Sequence, residues 1–261
     1  MITQHEKTPD WFNSSLGRAL LEQERDACAK LAPSGYYPRG LQAGGAAVDF
    51  LGGIECGERF FIGGAGECAA RAANAGGAHC AVADAAAMPF GGRSQDLIVL
   101  PHTLDCSDNP RAVLREASQV LTPQGCLVIT GFNPWSLWGA AWLPAKYLKR
   151  GTPPRRYCRL GRVQDWLELL GFELAGARML AYRPPLQNEK WRGKFAWLDK
   201  AGARWWPGLG AVYVLVGRKR EIALDGRGDA RLEWRRLLPG MAQPAAQRAA
   251  PAVSRAARGR N

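Results

Sequence analysis

Residues 96–139 read DLIVLPHTLDCSDNPRAVLREASQVLTPQGCLVITGFNPWSLWG. Leu97–Leu100 is short and wholly apolar, as a strand covered on both faces requires, and Pro101 stops it. A polar loop follows, Asp105–Asn109. Pro110 then opens a helix, at a position whose N–H would find no intrahelical acceptor anyway. Val113, Leu114, Ala117, Val120 and Leu121 recur at helical spacing and give that helix one apolar face. Thr122-Pro-Gln-Gly125 ends it, and Cys126–Thr130 is a second apolar strand. Strand, helix and strand at this spacing make a βαβ unit. In open α/β sheets the ligand lies beyond the carboxyl ends of the strands. Pro101–Asp105 and Gly131–Pro134 stand at those ends and are the first candidate functional segments.

Working back along the chain, Cys80–Phe90 reads CAVADAAAMPF: Ala81–Ala83 is a short strand, Asp84 lies at its carboxyl end, and Met88-Pro-Phe turns the chain over. A carboxylate beside small residues and a free backbone N–H suits a purine edge. The same aspartate also reads as a simple turn cap. Two registers are open for the first strand. Arg59–Ile62 followed by Gly63-Gly-Ala-Gly66 leaves 17 residues before Asp84, too few for helix, strand and helix. Leu41–Ala43 followed by Gly44-Gly45 leaves 39 between Gly44 and Asp84, which favours this second register and makes Phe60–Ile62 the second strand. Glycines after a first strand let the backbone come close to a ligand; they also serve in a plain tight turn. Val48, Phe50 and Leu51 suggest a helical turn afterwards.

Phe12, Leu16, Leu20 and Leu21 predict a helix within Trp11–Leu31. On the far side, Val163, Trp166, Leu167 and Leu170 predict a helix closed by Gly171. Glu173–Tyr182 and Ala211–Val216 read as strands, and Trp191–Leu198 as a short helix.

The chain has 261 residues, enough for one α/β core with a small addition. Seven cysteines and three histidines show no C-x-x-C or other metal-ligand spacing. The N-terminus lacks an apolar signal segment and no stretch suits a spanning helix, so a reducing cytoplasmic setting is expected. The net charge of +12 is uneven. From Lys149 onward there are 24 Lys plus Arg against 9 Asp plus Glu, a balance of +15. Such a half attracts nucleic acid, anionic lipid or an acidic partner, or simply aids solubility. After Pro239 the chain is mostly Ala, Arg, Pro, Gln and Gly, and is expected to be disordered.

The run from Val99 to Gly139, with ADAAAMPF, GRVQDWLELLGFE, YRPP and GAVYVLVGRKR, resembles the class I S-adenosylmethionine-dependent methyltransferases. Within them it resembles the proteobacterial proteins encoded near ribonuclease H and glyoxalase II. The resemblance covers about Leu41–Arg220. It implies an α/β fold, a Rossmann-like seven-stranded, mostly parallel sheet with a Trp-rich helical insertion. Its domain plan is a helical leader over 1–39, the methyltransferase-like domain over 40–220 with a lid at 135–160, and a basic extension over 221–261. It implies S-adenosyl-L-methionine as cofactor, held by Gly44 and Gly45 beside the methionine moiety, Gly63 at the second strand end, Asp84, Ala85 and Met88 at the adenine, and Pro101 near the methyl group. His102 and Thr103 would face the acceptor. Asn133 and the Trp135, Trp138 and Trp142 region would cover it, with Trp205 completing the wall.

If the acceptor needs a base, His102 is the candidate, because imidazole titrates near neutrality, and Asp105 would orient it. Asn133 would donate to the acceptor, or cap the turn before Pro134. Two features depart from the family pattern. The loop reads LQAGGAA, with no third glycine in register, and the second strand ends in Gly63 and Gly64 where many members carry an acidic residue that grips the ribose. Glu67 follows a few residues later. The function expected is methyl transfer to a small, apolar or aromatic acceptor. The alternatives are a catalytically silent scaffold of the same fold, and a basic module for nucleic acid or a membrane surface.

Overall fold

The structure is a computed structural model and describes residues 12, 14–74, 78–139, 157–184 and 197–220. Helix α1 (Ser15–Leu31) starts where the Ser14 side chain accepts the Gly17 N–H at 3.1 Å. It leads into β1 (Tyr37–Ala43), a 3-10 turn (Leu51–Gly53), β2 (Cys56–Gly63), α2 (Ala65–Asn74) and β3 (Ala78–Val82). Then come β4 (Gln95–Pro101), the short α3 (Thr103–Cys106), α4 (Pro110–Val120) and β5 (Leu121–Phe132). The described chain closes with α5 (Leu160–Leu169), β6 (Phe172–Leu180), α6 (Trp197–Trp205), a 3-10 turn (Pro207–Leu209) and β7 (Val212–Lys219).

The seven strands form one sheet in the order β3-β2-β1-β4-β5-β7-β6. The first five are parallel, and β7 runs antiparallel to both β5 and β6. The register with Leu41–Ala43 on the opening strand is the one found, although β1 begins at Tyr37, inside the stretch expected to be a leader. The crossover expected around Pro110 is also found. Asn109 caps α4 by accepting the Ala112 N–H at 3.2 Å, and Pro110 takes its first turn. The turn at Thr122–Gly125 is present as an irregularity inside β5: Gln95 pairs with Leu121, but Leu97 pairs with Cys126.

Leu97–Leu100 is fully buried, which explains its unbroken apolar run. One face of the sheet packs on α4 and α5 through Leu114, Ala117, Val163 and Leu167. The other packs on α1 and the Leu51–Gly53 turn through Leu20, Leu21, Cys28, Phe50 and Leu51. Strand order reverses direction between β1 and β4, so the ligand crevice of such a sheet lies beyond the ends of these two strands. No described helix is long and apolar enough to cross a membrane.

Candidate functional site

The crevice wall at β1 is built on one buried amide. Gln42 points into the loop that follows its own strand, and its Nε2 donates to the carbonyls of Gly44, Gly45 and Val48 at 3.0, 3.1 and 3.0 Å. Its Oε1 accepts the Phe50 N–H at 3.0 Å. Gly44 and Gly45 both take positive φ, 79° and 65°, which glycine adopts without a Cβ penalty. Across a planar trans peptide, C=O and N–H point in opposite directions. With the Gly44 and Gly45 carbonyls turned onto Gln42, the N–H groups of Gly45 and Ala46 are turned away from it. The loop is therefore a stapled two-glycine turn. The helical turn expected after it is a single 3-10 turn, because only Asp49–Gly53 separates it from the run into β2.

The opposite wall is the end of β4. A Cβ on Gly45 would lie 2.9 Å from the Pro101 Cβ, so the glycine loop rests directly on Pro101. The Thr103 hydroxyl donates to the Ala43 carbonyl at 2.5 Å and ties the two strand ends together.

At the end of β2, Gly63 carries no side chain, but a carboxylate stands there all the same. Glu67 Oε2 lies 2.7 Å from where a Gly63 Cβ would be and accepts the Gly64 N–H at 3.1 Å. Glu67 reaches this position from the first turn of α2. At the end of β3, Asp84 Oδ1 accepts the Ala86 N–H at 2.7 Å, and Asp84 bridges to Ala87. The turn it caps is anchored to α4, where Glu116 Oε1 accepts the Met88 N–H at 3.1 Å. Ala85 and Met88 are buried against that face of the core.

His102, expected as a general base, lies at the end of β4 inside a network of carboxylates. His102 is buried, with φ at 51°. Its Nε2 is 2.9 Å from Glu24 Oε1 on α1, and its Nδ1 is 3.2 Å from Asp105 Oδ2. Its ring stacks on Phe132 at 4.1 Å between centroids and meets Phe12 at 5.0 Å. Both nitrogens are engaged, so neither is open to an acceptor. Burial works to depress this imidazole, but the Glu24 charge, the hydrogen bonds to Asp105 and Glu24 and the Asp105 charge together raise it from 6.5 to about 9. Asp105 is equally buried. It accepts the N–H groups of Phe132 at 2.9 Å and Cys158 at 3.2 Å, so it ties three chain segments together instead of facing substrate. Burial raises its pKa, and the hydrogen bond and charge of His102 oppose that rise.

Asn133, expected either to donate to the acceptor or to cap the turn before Pro134, makes structural hydrogen bonds. Its Nδ2 donates to the carbonyls of Gly208 and Gly210 at 2.8 and 2.9 Å, and its Oδ1 accepts the Trp135 N–H at 3.1 Å. The amide is consumed in clamping two loops. The tryptophans differ in exposure. Trp138 is buried, and its indole N–H donates to the Arg183 carbonyl at 2.6 Å. Trp135 and Trp205 are exposed, and Trp142 lies outside the described residues, as does most of the expected lid.

Gly44, Gly45 and Pro101 are thus in direct neighbourhood, with Gly63 and Glu67 one strand away and the Asp84–Met88 turn two strands away. Sequence reasoning passes over Gln42 and Glu24. Each leaves a faint signal: Gln42 is a polar residue between Leu41 and Ala43, two positions before Gly44, and Glu24 continues the Leu16, Leu20 stripe at the next i+4 position.

Residues 64–129 match the family described as "Methyltransferase domain". The uncharacterized protein YafS of Escherichia coli (strain K12) is 37% identical over 142 residues, 54% of this chain and 55% of that protein. The chain therefore spans about half the length of this curated relative. Among solved structures, a SAM-dependent methyltransferase of Thermotoga maritima superposes with a TM-score of 0.59 at 20% identity, over 80% of this chain and 93% of that one. An S-adenosylmethionine-dependent methyltransferase of Mesorhizobium loti gives 0.54 at 14% identity, over 74% and 96%. The cyclase SpnF gives 0.53 at 17%, over 76% and 80%, so likeness of fold by itself does not choose the reaction. By strand order, strand sense and these likenesses, the chain has the fold of the class I S-adenosylmethionine-dependent methyltransferases.

Proposed function

We propose that the chain binds S-adenosylmethionine beyond the ends of β1, β2 and β3 and transfers its methyl group to a small, apolar or aromatic acceptor. The observation that carries this reading is the Glu67 carboxylate standing at the Gly63 strand end. That carboxylate supplies, from a helix, the negative charge that a strand-end acidic residue offers to a vicinal diol. The outward N–H groups of Gly45 and Ala46 suit the cofactor's amino-acid carboxylate, and the Asp84–Met88 turn suits the adenine.

The cofactor supplies a methyl group already activated by its positive sulfur, which passes to the acceptor's lone pair while the sulfur keeps the bonding electrons. The protein's part is alignment and exclusion of water. Gln42 fixes the glycine loop, Pro101 backs it, and the paired Glu24, His102 and Asp105 hold the end of β4 rigid. With His102 buried, none of the described groups of the β4 end is placed to take a proton, which favours acceptors that are nucleophilic without a base.

The test is incubation with methyl-labelled S-adenosylmethionine and a fractionated small-molecule extract. Label moving into an organic-soluble product, and lost in Glu67→Gln, supports the reading. Binding of S-adenosylhomocysteine with no transfer to any fraction would favour the silent scaffold.

A further inference from the structure

Nine large hydrophobic side chains are exposed among the described residues, and six of them fall on two segments at one end of the molecule: Trp135 and Leu137, then Trp197, Trp205, Trp206 and Leu209. The three tryptophans at 135, 205 and 206 are 66%, 70% and 56% exposed. The Asn133 amide joins the two segments, since it bonds both the Trp135 N–H and the carbonyls on either side of Leu209. Phe132, which closes β5, and Leu180, which closes β6, both pair with Val212 at the start of β7. The exposed aromatic residues therefore rise from the same end of the sheet as the crevice. Exposure here is selective: Trp138, only three residues from Trp135, is buried and hydrogen-bonded.

The surrounding charge is positive. Arg159 lies over the Trp135 ring at 5.1 Å, and Arg204 is exposed directly before Trp205. Exposed tryptophan and leucine side chains with Arg159 and Arg204 beside them match the chemistry of an anionic lipid interface, where indoles sit at headgroup level and guanidinium groups meet phosphate.

We propose that the rim formed by Trp135, Trp205, Trp206 and Leu209, with Arg159 and Arg204, docks the protein peripherally on an anionic lipid bilayer. Docking through this rim turns the crevice end toward the lipid. It does not depend on the methyl-transfer reading and is tested without cofactor.

The experiment is co-sedimentation of the full chain with vesicles containing phosphatidylglycerol, against vesicles of phosphatidylcholine alone. The expected result is partition at least about tenfold stronger onto the anionic vesicles, weakened by added salt. It falls by about tenfold or more in W205E/W206E, whose exposed positions leave folding intact, as an unchanged melting temperature verifies. Arg204→Glu gives a smaller loss, about fivefold. No partition onto anionic vesicles would overturn the proposal. Partition unchanged in W205E/W206E would assign lipid binding to other basic segments and overturn it too. A concentration-dependent dimer broken by W205E/W206E, without vesicle binding, would give the surface to a second copy of the chain instead.

Discussion

Glu24 Oε1 lies 2.9 Å from His102 Nε2, though 78 residues separate them in sequence. With Asp105 on the other nitrogen, this places a histidine between two carboxylates in the interior, at the end of the central strand. Among the described residues the second oxygen of Glu24 has no hydrogen-bond partner. A buried group of this kind is expensive to break, because removing the imidazole leaves two uncompensated carboxylates. His102→Ala is expected to cost about 3–5 kcal/mol of stability, measured by denaturant unfolding. A cost near zero would contradict the pairing.

The same cluster sets a pH dependence. His102 is raised from 6.5 to about 9 in the folded chain, so its stabilising contribution is complete below about pH 6.5 and is lost as pH rises through about 9. Burial raises Asp105 above the usual carboxylate range, so its own cost sets in as pH rises out of that range. The melting temperature is expected to fall across this window. In Glu24→Gln the fall should be smaller and should end at lower pH, since the largest cause that raises His102 is gone. A melting temperature constant from pH 6.5 to 9 in the wild-type chain would refute this.

Gln42→Leu removes four hydrogen bonds at once and leaves the Phe50 N–H and three loop carbonyls without their partner. We expect a loss of roughly 2–4 kcal/mol and a weakening of S-adenosylhomocysteine binding by at least about tenfold, because the loop's outward N–H groups lose their orientation. Full stability with full binding would show that the staple does not matter.

Asn133→Ala tests the clamp against a catalytic role. It should lower stability by roughly 1–3 kcal/mol and leave the affinity for S-adenosylhomocysteine unchanged. An unchanged melting temperature with a collapsed transfer rate would return Asn133 to the acceptor site.

Tyr213 is fully buried on β7, and among the described residues its hydroxyl has no hydrogen-bond partner. Removing an orphaned buried hydroxyl while keeping the ring should be neutral or stabilising, by up to about 1 kcal/mol. Thermal unfolding of Tyr213→Phe checks this, and a clear destabilisation would reveal a partner for the hydroxyl.

The fold was legible wherever burial is uniform. Leu97–Leu100 and Ala211–Val216 are covered on both sides, so their apolar runs are unbroken, and Pro110 and Asn109 mark the helix between β4 and β5. Chain length alone chose between the two glycine loops. The site was less legible because its decisive contacts are long-range. A histidine after a strand looks available until α1 brings Glu24 to it. An asparagine after β5 looks like a donor until the loop before β7 takes both its amide hydrogens. Gly63 looks like a lost carboxylate until Glu67 folds back over it from the next helix.

Calorimetric titration with S-adenosylhomocysteine, of the wild-type chain and of Glu67→Gln, tests the central claim most directly. The account predicts micromolar binding by the wild type and a loss of at least about tenfold in Glu67→Gln, as expected when a charged contact to a buried hydroxyl pair is removed. No heat and no shift in melting temperature at millimolar ligand would contradict it.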